Sequence, residues 1–221
     1  MRPLSYDHVT SVGLLREQLT TFVAAAESFS EYDLLAASRC HGWSRLDAVV
    51  HVRAGLEEMV GDCAAQVDDP PTHDAASYWE SFAAEGDDDP VPQILWMRRT
   101  AAAYNRPSRA LDHLREVAAT ADHVLGRMPD HAVLFQSKTM TSGDFLATWV
   151  VELAVHQLDL GDGAGRPTDG ALHVVRRTVE AIADVDLPAA WRDHDAALVA
   201  LGREPLPSDI GDLARVLPVR L

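Results

Sequence analysis

One stretch constrains the fold more than any other. Phe145, Leu146, Trp149, Val150, Leu153, Ala154 and Leu158 recur at helical spacing, and Glu152 and His156 stand among them. A carboxylate set among valines, leucines and a tryptophan is costly unless it is paired or bound to a metal. The helix opens at Thr141 or Ser142 and stops at Gly161-Asp162-Gly163, a C-cap and turn signal.

Other helices follow from the same period. After Ser5, residues Val9, Val12, Leu15, Leu19, Phe22, Val23 and Ala26 mark an amphipathic helix. A second begins at Ser44, where Asp47 completes an approximate capping box, and runs through Val49, Val50, Ala54, Leu56 and Met59. A third region starts near Pro92 and is interrupted at Pro107, with a further helix from Ser108 to about Met128. Between the second and third regions, Val67 to Pro92 reads as a long irregular connection, the kind that often serves as a lid. Its acidic run Asp87-Asp88-Asp89 reads as a solvated loop, since the spacing of a calcium loop is missing. Residues 168–221 read as three shorter helices separated by Pro188 and by Pro205 and Pro207. The expected fold is all-α: a four-helix bundle over residues 1–164 with a short helical C-terminal extension over 165–221.

Composition narrows the partners. The chain has 221 residues, 34 acidic against 19 basic, for a net charge of −15. Such a surface repels phosphate backbones and anionic lipid, so nucleic acid and membranes are poor partners. There is no signal-peptide core and no apolar run long enough to span a bilayer. Two cysteines, Cys40 and Cys63, are too few for a disulfide framework. A reduced, cytoplasmic setting is the expectation, with a monomer and a homodimer equally open.

Glu152 and His156 lie four apart, so both project from one helical face and can reach one ion. They can equally face solvent or pair with each other. His51, within Val49-Val50-His51-Val52, adds a third candidate from another capped helix. Three ligands from two facing helices form the open site that bundle cores commonly hold. Pattern alone leaves His51 equally well read as a satisfied core histidine.

Two motifs carry a resemblance. Gly42-Trp43-Ser44-Arg45-Leu46-Asp47-Ala48-Val49-Val50-His51 is similar to the "GW-[ST]-x-x-D-x-x-x-H" signature of the mycothiol-dependent maleylpyruvate isomerase family, one of the DinB-like metalloenzyme bundles. Val150-Val151-Glu152 through His156 to Asp159-Leu160 resembles its second signature, "VVE-x-x-x-H-x-x-DL". The resemblance covers roughly residues 8–160 and implies an up-down-down-up bundle. It implies a divalent metal, zinc before nickel or manganese, on His51, Glu152 and His156. It also implies a low-molecular-weight thiol, mycothiol, as cosubstrate for an electrophilic small molecule.

Further residues take expected roles on that reading. Asp159 orients an imidazole or caps the helix end. Arg98 or Arg99 clamps an anionic group of the substrate, and Tyr104 and Gln157 are polar liners. Trp43 packs and Ser44 caps. Cys40 is a reactive thiol or, better, a small buried residue. Because residues 165–221 are shorter than a full second domain of the isomerase type, S-transfer is expected over isomerisation. A metal-dependent hydrolase and a non-catalytic metal-binding bundle are the alternatives.

Overall fold

The computed structural model describes residues 1–85 and 89–221, Glu85 by its backbone. Asp87 and Asp88 of the acidic run lie outside the described residues. Four helices make the bundle: α1 (His8–Glu27), α3 (Arg45–Asp62), α6 (Pro107–Leu125) and α7 (Ser142–Asp159). α1 packs between α6 and α7, and α3 packs against the same two, so α1 and α3 stand diagonally across the bundle. The all-α expectation holds, with only a two-stranded ribbon added.

The helix starts are set locally. Asp7 caps α1 by accepting from the Thr10 amide, and Thr141 caps α7 by accepting from the Asp144 amide. At α3 both halves of the Ser44/Asp47 box form. α7 is the axis of the molecule. Every residue from Ser142 to Asp159 is buried except Glu152. Its first turn is covered by the N-terminal segment: the Tyr6 amide donates to Asp144, and a Cβ on Gly143 would lie 2.0 Å from the Tyr6 carbonyl oxygen. Only glycine allows that approach. The Val9 position of the expected α1 stripe is exposed, although its neighbour His8 reaches Ser142 of α7.

Three elements depart from the sequence reading. The connection taken as irregular contains α4 (Ser77–Glu85), which buries Tyr78 and Trp79. Its helical signal is short and flanked by prolines, so periodicity does not reveal it. A one-turn helix, α2 (Glu31–Leu34), precedes α3. β1 (Val133–Phe135) and β2 (Lys138–Met140) pair antiparallel through Gln136 and Ser137, both at positive φ. That turn is built without the Asn-Gly or Gly-Gly signal that marks most two-residue hairpins.

α5 (Val91–Ala101) ends before Pro107 as expected. Beyond α7, α8 (Asp169–Ala183) packs on α7 and α9 (Asp193–Ala200) packs on α8, followed by a 3-10 turn at Gly211–Arg215. Among the described residues, no helix is long and apolar enough to cross a membrane.

Candidate metal centre

The exception in α7 defines the site. Glu152 opens into a gap facing α3, where its Oε1 lies 2.9 Å from Nε2 of His51 and 3.2 Å from Nε2 of His156. The two imidazoles meet edge to face at 4.7 Å, and Trp43 lies 5.0 Å from His51 and 6.2 Å from His156. Burial alone would raise the Glu152 carboxyl, but His156 and His51 hold it well below the usual carboxylate range. Burial opposes charge on His156 as well, yet Glu152, Asp159 and Cys40 raise it well above its ordinary value. In this form the cluster is a carboxylate shared by two imidazoles.

The same atoms fit a divalent cation. One donor atom from each of His51, Glu152 and His156 lies within 4.8 Å of the other two. Ligands about 2.1 Å from a tetrahedral ion lie about 3.4 Å from one another, inside that span. Two nitrogens and one oxygen suit zinc, and also nickel or manganese. Among the described residues no fourth protein ligand joins the set, which leaves a position for a small molecule.

Behind the cluster, His156 is held in place from its other nitrogen. Nδ1 lies 3.3 Å from Asp159, whose side chain is wholly buried. Arg203 donates to both Asp159 oxygens at 2.9 and 3.1 Å, and the Cys40 thiol donates to Oδ2 at 3.0 Å. Burial works against the Asp159 charge, but His156 and Arg203 outweigh it and hold the carboxyl well below its usual range. Burial pushes the Cys40 thiol up, so it stays protonated and serves as a donor. Asp159 thus has the geometry of an imidazole-orienting group. Cys40, His156 and Asp159 could also be drawn as a ligand set, but Arg203 already supplies the positive charge there.

Two cavities meet at the cluster. The larger, about 730 Å³, is walled by Cys40, His41 and Trp43, by Pro90, Pro92, Gln93 and Ile94 at the start of α5, and by Arg203 and Arg220. The smaller, about 100 Å³, lies on the far side of His51 and Glu152 among aromatic rings.

The remaining expected residues fall elsewhere. Only the first turn of α5 lines the cavity. Arg98 and Arg99 come four or more residues later, about 6 Å or more along the axis. Arg98 donates to the Gly42 carbonyl and Arg99 to the Leu95 carbonyl, and neither borders the two cavities. Tyr104 bonds His113. Gln157 is buried between Gln18 and the Ala164 carbonyl, on the face of α7 turned away from α3. Sequence reasoning missed Arg203, Arg220 and Trp79. No local motif marks them, since each reaches the site from a segment far away in the chain.

The fold and site define a helical bundle with an open His-Glu-His cluster able to hold a divalent cation. Residues 15–161 match the family described as "Mycothiol maleylpyruvate isomerase N-terminal domain", and the chain belongs to that family of enzymes. Among solved structures, the mycothiol-dependent maleylpyruvate isomerase superposes with a TM-score of 0.56 at 15% identity, covering 78% of this chain and 69% of that one. A point mutant of that isomerase superposes at 0.53, with the same identity and coverage. These likenesses speak to fold alone. No curated protein matches the sequence.

Proposed function

We propose that this protein is a metal-dependent enzyme that joins a low-molecular-weight thiol, mycothiol, to an electrophilic small molecule. The observation that carries the proposal is the convergence of His51, Glu152 and His156 at the junction of two cavities. When bound, a divalent cation on these three side chains supplies the charge that lowers a thiol's pKa and keeps it ionised at neutral pH.

The chain's own residues do the rest. Glu152 contributes the negative charge that balances a cation, and Asp159 with Arg203 fixes the His156 ring. Trp43 covers the two imidazoles from one side and limits water there. His41, Gln93, Arg203 and Arg220 give the larger cavity a polar wall suited to a hydroxyl-bearing cosubstrate. The ionised sulfur then adds to one carbon of an activated double bond, whose π pair moves onto the adjacent carbon and its activating group. Protonation of that carbon with the C–S bond retained is transfer; rotation about the now single C–C bond and return of the pair with loss of the thiolate is isomerisation. We favour transfer. Asp159, the group a water-activating hydrolase would need as base, is wholly buried and engaged by three partners, which argues against hydrolysis.

The test is metal content of the purified protein by mass spectrometry beside that of the Glu152→Ala/His156→Ala double variant, followed by mycothiol consumption against a panel of electrophiles. About one ion per chain, lost in the variant, with thiol-dependent turnover, supports the proposal. Absence of metal after reconstitution, or turnover without thiol, overturns it.

A further inference from the structure

The smaller cavity has a chemistry unlike the larger one. Tyr78, Trp79 and Phe82 of α4, Phe135 of β1 and Trp149 of α7 form its wall. Tyr78 stacks on Phe135 at 5.2 Å, and Phe135 meets Trp149 at 5.9 Å, so the rings are continuous. Gly55 of α3 makes room for them: a Cβ there would lie 2.9 Å from the Trp149 ring. The acidic side chains at this recess are Glu58 and Glu152, with the His51 imidazole beside them. No arginine or lysine borders it among the described residues, whereas the larger cavity has Arg39, Arg203 and Arg220.

We infer that this aromatic recess receives a compact, uncharged apolar group of the electrophile, and that the enzyme selects neutral unsaturated substrates over carboxylate-bearing ones of the same shape. The inference rests on the proposed function only in placing the reacting carbon at His51 and Glu152; the recess and its charge are independent of it. Size sets the first limit. A cavity of about 150 Å³ accepts benzene, so about 100 Å³ suits a branched group slightly smaller than a phenyl ring. Charge sets the second. An anion entering here loses hydration without meeting an arginine or lysine among the described residues, and it faces the Glu58 carboxylate. Apolar contact with ring faces costs an uncharged group no such loss. The arrangement divides the labour: a polar thiol in the large polar cavity, an apolar acceptor in the recess, and their reacting atoms at the shared wall.

The test uses the isosteric pair methacrylamide and methacrylate on the whole protein, metal-free, followed by two-dimensional NMR of the tryptophan indole N–H groups. Methacrylamide is expected to shift the Trp79 and Trp149 signals while leaving Trp191 unmoved, and to bind at least tenfold tighter than methacrylate. Glu58→Gln, an exposed isosteric change, should narrow that ratio severalfold. Equal or tighter binding of methacrylate, or shifts that spare Trp79 and Trp149, would overturn the inference. Because the measurement needs neither metal nor thiol, it can succeed if the proposed reaction fails, and fail if that reaction succeeds.

Discussion

Replacing Arg203 with methionine should cost about 2–3 kcal/mol of stability. Asp159 is wholly buried, and the guanidinium is its bidentate partner. Stripping one member from a buried ion pair costs about 3–5 kcal/mol, because the other charge is left uncompensated. Two features lower that figure here. Arg203 keeps 23% of its side chain exposed, so part of its charge was already solvated. Asp159 also retains the Cys40 thiol and His156 as partners. Urea unfolding in the presence of chelator removes any contribution from bound metal. With a slope of about 2–3 kcal/mol/M, the midpoint should fall by about 1 M. Adding Asp159→Asn removes the stranded charge, so the double variant should recover at least half of the loss. A fall below about 0.3 M, or no recovery in the double variant, would mean that His156 alone neutralises Asp159 and that the arginine is incidental. Metal affinity of the same variant should drop about tenfold or more, since Arg203 secures the group that aims His156.

His51→Ala should leave helicity unchanged while metal content falls from about one ion per chain to near zero; retained metal would remove His51 from the ligand set. Gly143→Ala should lower the melting temperature by about 4–8 °C, because its Cβ cannot coexist with the Tyr6 carbonyl and the overpacking costs about 2 kcal/mol; calorimetry showing an unchanged transition would contradict the close approach. Asp62 gives a pH signature. Burial, with Glu58 adding, pushes its carboxyl up to about 6, and one of its oxygens is buried without a hydrogen bond. The folded state therefore holds a proton that the unfolded state has released, and stability falls as pH rises between about 4 and 6. The shift of about two units corresponds to about 2.7 kcal/mol, which partial exposure reduces to about 1. Asp62→Asn should thus stabilise by about 1 kcal/mol at pH 8 and not at pH 4; equal effects at both would refute the assignment.

The parts of this molecule legible in its sequence are those specified by neighbours in the chain. Ser44 and Asp47 announce the start of α3 because a capping box is three residues long. Glu152 and His156 announce a shared face because one helical turn joins them. What escaped was specified through space. Arg203 follows a loop after α9, and nothing local ties it to Asp159. Arg98 and Arg99 show the same limit: their residue type suits a substrate clamp, but the register of α5 sets Arg98 against Gly42 in an adjoining cavity beside Cys40 and Trp43, and turns Arg99 back on the Leu95 carbonyl. Tyr78 and Trp79 looked like part of a loop, since nine residues of helix between prolines leave too few turns for a period to show.

Glu152 is the sole residue of α7 that the bundle leaves uncovered, and that asymmetry divides the protein into two parts with different freedom to change. A substitution almost anywhere else on this helix disturbs the packing of the whole bundle, so two of the three proposed ion-holding positions, Glu152 and His156, are anchored in the least negotiable piece of the chain. The walls that meet a substrate are assembled instead from α4, the first turn of α5, the hairpin and the tail near Arg203 and Arg220. Descendants of such a scaffold can acquire new substrates by rewriting those borrowed walls while the reactive centre is inherited intact.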